Sequence, residues 1–117
     1  MAALRHVLLL QRDVPKAATF YSRGLGLKVK VLTERWAELE AGSTTLALKA
    51  VDGEACCSVG YSPFLTFTVK ELQTTLTQLL QLGSTMDGGV QHLPRGLTAV
   101  VRAPDGHMIS LFEPAEQ

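Results

Sequence analysis

One pattern occurs twice in this sequence, and the repeat constrains the fold more than any other feature. A strand-like run opens at His6 and leads into a helix-like segment that ends at Gly24-Leu25-Gly26. A second run opens at Phe64, an offset of 58 residues from position 6, and leads into a helix-like segment that ends at Gly83. Each half closes on a turn and a last strand, so the pattern predicts a duplicated half-domain. The cleft of such a duplicate is a usual place for a binding or catalytic site.

The two halves are predicted to be modules of β-α-β-β-β order, which makes the fold class α+β. We place the modules at about residues 4–51 and 64–114, with a linker at 52–63, inside one domain of residues 1–117. The predicted strands are about 4–11, 27–33, 36–40 and 44–51 in the first module, and 64–69, 86–93, 97–102 and 107–113 in the second. The second module is the longer one, and we place its extra residues in the loop from Gly88 to Gly96.

Each module contains one predicted helix. The first begins after Asp13, a favourable N-cap, and tolerates Pro15 in its first turn because no intrahelical donor is lost there. Gly24 and Gly26 are expected to end it. The second helix carries one apolar stripe that is expected to be core, formed by Leu72, Leu76, Leu79 and Leu80.

Composition excludes several classes of protein. The chain has 117 residues, is 46% hydrophobic and has a formal net charge of zero, which is typical of one soluble globular domain. Without a basic cluster, neither nucleic acid nor an anionic membrane is an expected partner. The uncharged run Val7–Gln11 is too short for a signal-peptide core or a membrane span.

The two cysteines, Cys56 and Cys57, are adjacent in the linker. Neighbouring cysteines cannot staple distant parts of a fold, so a disulfide framework is excluded and a reducing, cytoplasmic location is expected. A strained vicinal disulfide or a redox pair is the alternative to two small linker residues.

Two segments resemble a known family. The opening motif, Arg5-His6-Val7 with Asp13-Val14-Pro15-Lys16 and Phe20-Tyr21, looks like the start of glyoxalase I and bleomycin-resistance proteins. The segment Ala103–Pro114 is similar to the closing strand of the same group, the vicinal oxygen chelate superfamily, which also includes extradiol dioxygenases. The resemblance covers nearly the whole chain. It implies an eight-stranded, partly open, barrel-like sheet with a central cleft and the helices outside.

The same resemblance implies a metal site with one ligand from the first and last strand of each module. His6 stands at the first of these positions, but Ala47, Phe64 and Ser110 stand at the other three. Alanine and phenylalanine have no donor atom for a divalent metal. We therefore expect no metal and no other cofactor, and we expect the glutamate that serves as base in the glyoxalase reaction to be missing.

Alternation along the strands predicts the cleft wall. The residues predicted to point inward are His6, Leu8, Leu10, Thr45, Ala47, Lys49, Phe64, Thr66, Thr68, Met108, Ser110 and Phe112. This lining predicts a site for a small, largely apolar molecule, with an anionic group near Lys49. Alternatively, Phe64, Met108 and Phe112 fill the cleft as core. The pattern leaves the facing of Trp36 undecided and predicts that His107 lies near the surface, after a turn.

Three hypotheses follow. The first is a metal-free binding module, a non-catalytic relative of the family's enzymes. The second is a lyase or isomerase that acts through His6. The third is a structural, dimer-forming domain with a filled cleft. A homodimer is expected in any case, because sheets of this kind leave edges that association protects.

Overall fold

The computed structural model describes residues 1–53 and 60–116. The adjacent cysteines, and the interpretations attached to them, lie outside the described residues. The chain divides into two compact units, Met1–Cys57 and Ser58–Gln117. Each unit is described by itself below.

Unit 1 contains one helix and four strands. Its elements are β1 (His6–Gln11), α1 (Val14–Leu25), β2 (Lys28–Leu32), β3 (Trp36–Ala41) and β4 (Thr44–Ala50). The strand order is β1-β4-β3-β2; β1 pairs with β4 in parallel, and the other pairs are antiparallel. The predicted β-α-β-β-β order of this module is therefore confirmed, and the segment that joins the parallel strands β1 and β4 includes α1.

Local sequence explains both ends of α1. The Asp13 carboxylate accepts a hydrogen bond from the backbone N–H of Lys16 at 3.1 Å, and Pro15 lies in the first turn, as predicted. The helix ends at Gly26, which adopts a left-handed conformation with φ of 72°. Gly24 is a buried residue inside the helix, so the prediction that it helps to end the helix is wrong.

The core of unit 1 lies between α1 and one face of the sheet. Helix α1 contacts β2, β3 and β4. Strand residues of alternate parity are buried there with residues of the helix; they include Leu9, Ala37, Leu39, Leu46 and Leu48 from the strands and Val14, Ala18, Phe20 and Tyr21 from the helix. The strand residues that alternate with these buried ones therefore lie on the face that α1 does not cover.

Unit 2 repeats this plan with one additional strand. Its elements are β5 (Phe64–Thr68), α2 (Leu72–Gln81), β6 (Thr85–Met86), β7 (Gln91–Leu93), β8 (Gly96–Arg102) and β9 (Met108–Pro114). The order is β5-β9-β8-β6, with β7 also paired to β8, and β5 and β9 are parallel. The described residues thus form two helices and nine strands in two open, mixed sheets.

The ninth strand arises because the predicted strand 86–93 is interrupted. Asp87 donates its backbone N–H to the carbonyl of Val100 at 2.9 Å, and Gly88 then turns the chain with φ of 82°. Two short strands, β6 and β7, flank this turn. The single strand predicted there is wrong, because the glycines at positions 88 and 89 break the extended conformation.

Helix α2 covers the sheet of unit 2 with three leucines, Leu72, Leu76 and Leu79, which are buried. Leu80 is 37% exposed, so its assignment to the buried stripe is wrong. At 100° per residue Leu80 lies about 80° from Leu72 around the helix, at the edge of the stripe. None of the helices within the described residues is long and apolar enough to span a membrane.

Candidate functional site

The face of the unit 1 sheet that α1 leaves uncovered holds the first half of the predicted site residues. We call it open face 1. It is defined by His6, Leu8, Leu10, Trp36, Glu38, Glu40, Thr45, Ala47 and Lys49. The strand register arranges them in three rows across β1, β4 and β3: His6-Thr45-Glu40, Leu8-Ala47-Glu38 and Leu10-Lys49-Trp36. The sequence-predicted residues of the first module therefore do share one face.

The centre of open face 1 is covered by two aromatic rings. His6 lies in the first row on β1, and Trp36 lies in the third row on β3, yet their ring centroids are 5.7 Å apart in an edge-to-face arrangement. Ala47 occupies the middle row on β4, the strand between them, so the two side chains meet above it. Ala47 is 0% exposed. A larger side chain at position 47 would take the space that the rings occupy.

The orientation of Trp36 is fixed at both backbone and side chain. Its indole Nε1–H donates to Glu38 Oε2 at 2.8 Å. Its backbone N–H donates to the Thr33 hydroxyl at 3.0 Å, and its carbonyl accepts from the backbone N–H of Thr33 at 2.8 Å. These bonds settle the facing that the sequence leaves undecided: Trp36 faces open face 1, and Leu39, of opposite parity, is buried under α1.

Charged groups surround this aromatic centre. Glu38 and Glu40 contribute two carboxylates, and Lys28, Lys30 and Lys49 contribute three ammonium groups. Lys28 on β2 is paired with Glu40, and Lys30, also on β2, reaches across the face and donates to the Thr45 hydroxyl at 3.0 Å. These five side chains give open face 1 one more positive than negative charge.

The corresponding face of unit 2, open face 2, holds the second half of the predicted residues. It is defined by Phe64, Thr66, Thr68, Thr98, Val100, Arg102, Met108, Ser110 and Phe112. Its rows across β5, β9 and β8 are Phe64-Met108-Arg102, Thr66-Ser110-Val100 and Thr68-Phe112-Thr98. Phe64 is 45% exposed, Ser110 and Phe112 are partly buried, and Met108 is 1% exposed. Met108 is thus a core residue, whereas Phe64 is a surface residue.

An aromatic and cationic cluster lies at the first row of open face 2. The Tyr61 and Phe64 rings are nearly parallel, at 12°, with centroids 6.4 Å apart. The Arg102 guanidinium lies 5.6 Å from the Tyr61 centroid, and its Nη1 donates to the carbonyls of Gly60 and Gly106 at 3.2 and 2.8 Å. Arg102 thereby holds the segment before β5 against the sheet.

The positions that the family resemblance marks as metal ligands are equivalent in the two units. In unit 1, His6 and Ala47 lie one row apart on neighbouring parallel strands; in unit 2, Phe64 and Ser110 have the same relation. Only an imidazole and a hydroxyl are present at these four positions. Within residues 1–53 and 60–116, no three or more His, Cys, Asp or Glu side chains are grouped so that they could hold a metal ion.

The other two histidines belong to unit 2 and are not part of open face 2. His107 is buried, with 7% exposure, so the prediction of a surface position is wrong. Asp105 explains the burial, because its carboxylate accepts from the backbone N–H of His107 at 3.0 Å and lies 3.1 Å from the imidazole Nδ1. His92 is exposed and belongs to β7.

Sequence reasoning missed the residues that shape the two faces most. Trp36 and Glu38 could have been assigned to open face 1 only if Leu39 had first been assigned to the buried face of β3, because neighbouring residues of a strand point to opposite faces. The neighbours of Phe64, namely Tyr61 and Arg102, come from the predicted linker and from the middle of β8, and no local signal joins them.

The comparisons identify the family. Residues 3–111 match the Glyoxalase/Bleomycin resistance protein/Dioxygenase superfamily, and the chain belongs to it. No curated protein sequence matches the chain significantly.

Solved structures share the fold at low identity. A glyoxalase/bleomycin resistance protein/dioxygenase family enzyme from Burkholderia phytofirmans has a TM-score of 0.84 at 16% identity, over 97% of this chain and 100% of that one. Lactoylglutathione lyase from Agrobacterium tumefaciens gives 0.67 at 18% identity, over 97% and 94%. The bleomycin-binding protein of Streptomyces verticillus, in complex with copper(II)-bleomycin, gives 0.65 at 18% identity, over 98% and 99%. At these identities the likeness establishes the fold alone.

Proposed function

We propose that this member of the glyoxalase superfamily binds a small, largely apolar molecule on its open faces, and that it does so without a bound metal. The observation that carries the proposal is the centre of open face 1, where the position of a family ligand is Ala47, covered by the rings of His6 and Trp36. Chemistry that depends on a metal and on a glutamate base is not supported by these residues.

The metal-free part of the proposal rests on donor chemistry. A structural or catalytic metal needs three or four N, O or S ligands that converge at about 2.0–2.3 Å. Unit 1 supplies one such ligand, His6, at the family positions, and its ring is engaged with Trp36. Unit 2 supplies only the neutral hydroxyl of Ser110 there. These groups do not fit a metal centre.

The binding part rests on exposed apolar surface. Leu8 is 41% exposed in the middle row of open face 1, and Phe64 is 45% exposed in the first row of open face 2. Apolar side chains with a few polar groups among them, here Glu38 and Ser110, are the usual lining of a small-molecule site. The exposure of Phe64 speaks against the alternative in which it fills the fold as core.

A thermal-shift screen tests the binding proposal. The probes are hydrophobic carboxylic acids, such as octanoic acid, and neutral compounds of similar size. A ligand present at about 100 times its dissociation constant should add roughly 2.7 kcal/mol to the free energy of unfolding. Leu8→Glu should remove the shift, because it places a charge on the apolar part of open face 1.

The chain offers a matched control for this variant. Leu80 is exposed to nearly the same extent, 37% against 41%, but it lies on α2, which covers the side of the unit 2 sheet opposite open face 2. Leu80→Glu should therefore leave the ligand-induced shift unchanged. Absence of a shift with every probe, or equal loss of the shift in both variants, would contradict the proposal.

We further propose that the protein is a cytoplasmic homodimer. Within the described residues, the edge strands are β1 and β2 in unit 1 and β5 together with the short β6 and β7 in unit 2. A second copy would satisfy the backbone groups at such an edge. The proposed location follows from the charge balance and cysteine usage of the sequence.

A further inference from the structure

The centre of open face 1 is aromatic, and its rings are held in place by hydrogen bonds and ring contacts. The proposed function does not by itself require this property. From this we infer that open face 1 selects flat, conjugated ring molecules over saturated apolar molecules of the same size, and that Trp36 is the residue that determines this specificity. The inference rests on the proposed function and names the class of molecule bound.

The position of Trp36 is the first argument. Its indole extends from β3 over Ala47 toward β1, so the ring lies along the sheet surface rather than beside it. Trp36 is only partly buried, which leaves part of the ring accessible. Leu8 lies beside Ala47 in the same row, on β1, and provides an adjoining exposed apolar wall. The accessible part of the Trp36 ring and Leu8 are thus apolar surfaces that open face 1 offers to a flat ring.

The second argument is that the ring is already in place before any ligand binds. Glu38 holds the indole N–H at 2.8 Å, Thr33 holds the backbone, and the imidazole of His6 contacts the ring. A side chain fixed in this way loses little rotamer freedom on binding. A preformed aromatic surface favours a ring that stacks on it over a puckered hydrocarbon.

Polar groups at the rim of the face can hold a substituent of the ring. Two carboxylates, of Glu38 and Glu40, and three ammonium groups, of Lys28, Lys30 and Lys49, lie on or reach over the same face. A hydroxyl substituent on the ring can donate to a carboxylate or accept from an ammonium group there.

Two probes of one skeleton test the inference: 2-naphthol, which is flat, and decahydro-2-naphthol, which is saturated. Their dissociation constants are measured by calorimetry. The chain has one tryptophan, so a 15N-labelled sample gives one indole Nε1–H signal, which reports on Trp36 alone. We expect 2-naphthol to bind about 2- to 13-fold more tightly than its saturated analogue, the range that aromatic pairs add beyond their area. We also expect only 2-naphthol to move the indole signal upfield.

Variants assign the preference to the residue. Trp36→Leu should bring the two dissociation constants together while both compounds still bind, and Trp36→Phe, which keeps a ring, should retain most of the difference. Leu80→Ala removes a 37% exposed apolar residue on α2 and should change nothing. The inference is overturned if the two probes bind equally to the unaltered protein, or if the preference survives in Trp36→Leu or is lost in Leu80→Ala. Each of these results leaves the proposed function standing, because the probes still bind. If neither probe binds to the unaltered protein, both the inference and the proposed function fail.

Discussion

The N-terminus of α2 is stabilised by a residue that is 41 positions away, and this contact makes a quantitative prediction. Glu71 occupies the N-cap position, but its side chain makes no capping hydrogen bond. Instead, Glu113 Oε1 on β9 accepts a hydrogen bond from the backbone N–H of Leu72 at 2.7 Å. The first amides of a helix have no partner within the helix, so Glu113 supplies a cap from the sheet.

Replacing Glu113 by alanine removes this acceptor. Hydrogen bonds to charged groups contribute about 1.5–3 kcal/mol, and loss of a helix cap costs about 0.5–2 kcal/mol. Because Glu113 is only partly buried, water takes over part of the interaction, and we expect Glu113→Ala to lower the free energy of unfolding by about 1–2 kcal/mol. At about 4 °C per kcal/mol, the melting temperature should fall by roughly 4–8 °C.

Two further variants separate the hydrogen bond from the charge. Glu113→Gln keeps an acceptor without the charge and should lose about half as much stability. Glu71→Ala removes a carboxylate at the same helix end without removing the bond to Leu72, and it should cost less than half of the Glu113→Ala effect. Urea unfolding followed by circular dichroism measures all three. Equal destabilisation by Glu71→Ala and Glu113→Ala would refute the capping role.

Three other predictions follow from the open faces and sheet edges. Ala47→Val should lower the free energy of unfolding by about 1–3 kcal/mol in urea and move the Trp36 indole signal, because the added methyl groups press on the rings above position 47. If Ala47→Val changes neither the stability nor the signal, the rings do not cover position 47. Isomerisation of the hemithioacetal of methylglyoxal and glutathione should stay at the uncatalysed rate, whereas turnover that persists in chelator and falls in His6→Ala would support an enzyme. Light scattering at high micromolar concentration should give the mass of a dimer, and a mass of 12.6 kDa would show a monomer.

Elements whose signals are local could be predicted from the sequence. Asp13, Pro15 and Gly26 each act through a neighbouring backbone group, and the structure confirms the roles expected of them. The alternation of β1 and β4 likewise places His6 and Ala47 on one face, since a strand repeats every two residues.

Features that depend on distant partners could not be predicted in the same way. Trp36 and Leu39 both favour burial but have opposite parity, and only the packing of α1 decides between them. Glu113 caps a helix that it does not adjoin in sequence. Each of these contacts is set by the tertiary fold rather than by a residue's own neighbours.

Metal content is the measurement that tests the central claim most directly. Protein purified without chelator and dialysed should contain well under one equivalent of Zn, Ni, Mn or Fe by elemental analysis, and His6→Ala should contain the same trace. This follows because His6 is the sole nitrogen ligand at the four family positions, and the ring of Trp36 lies against it. Stoichiometric metal in the unaltered protein that is lost in His6→Ala would contradict the account.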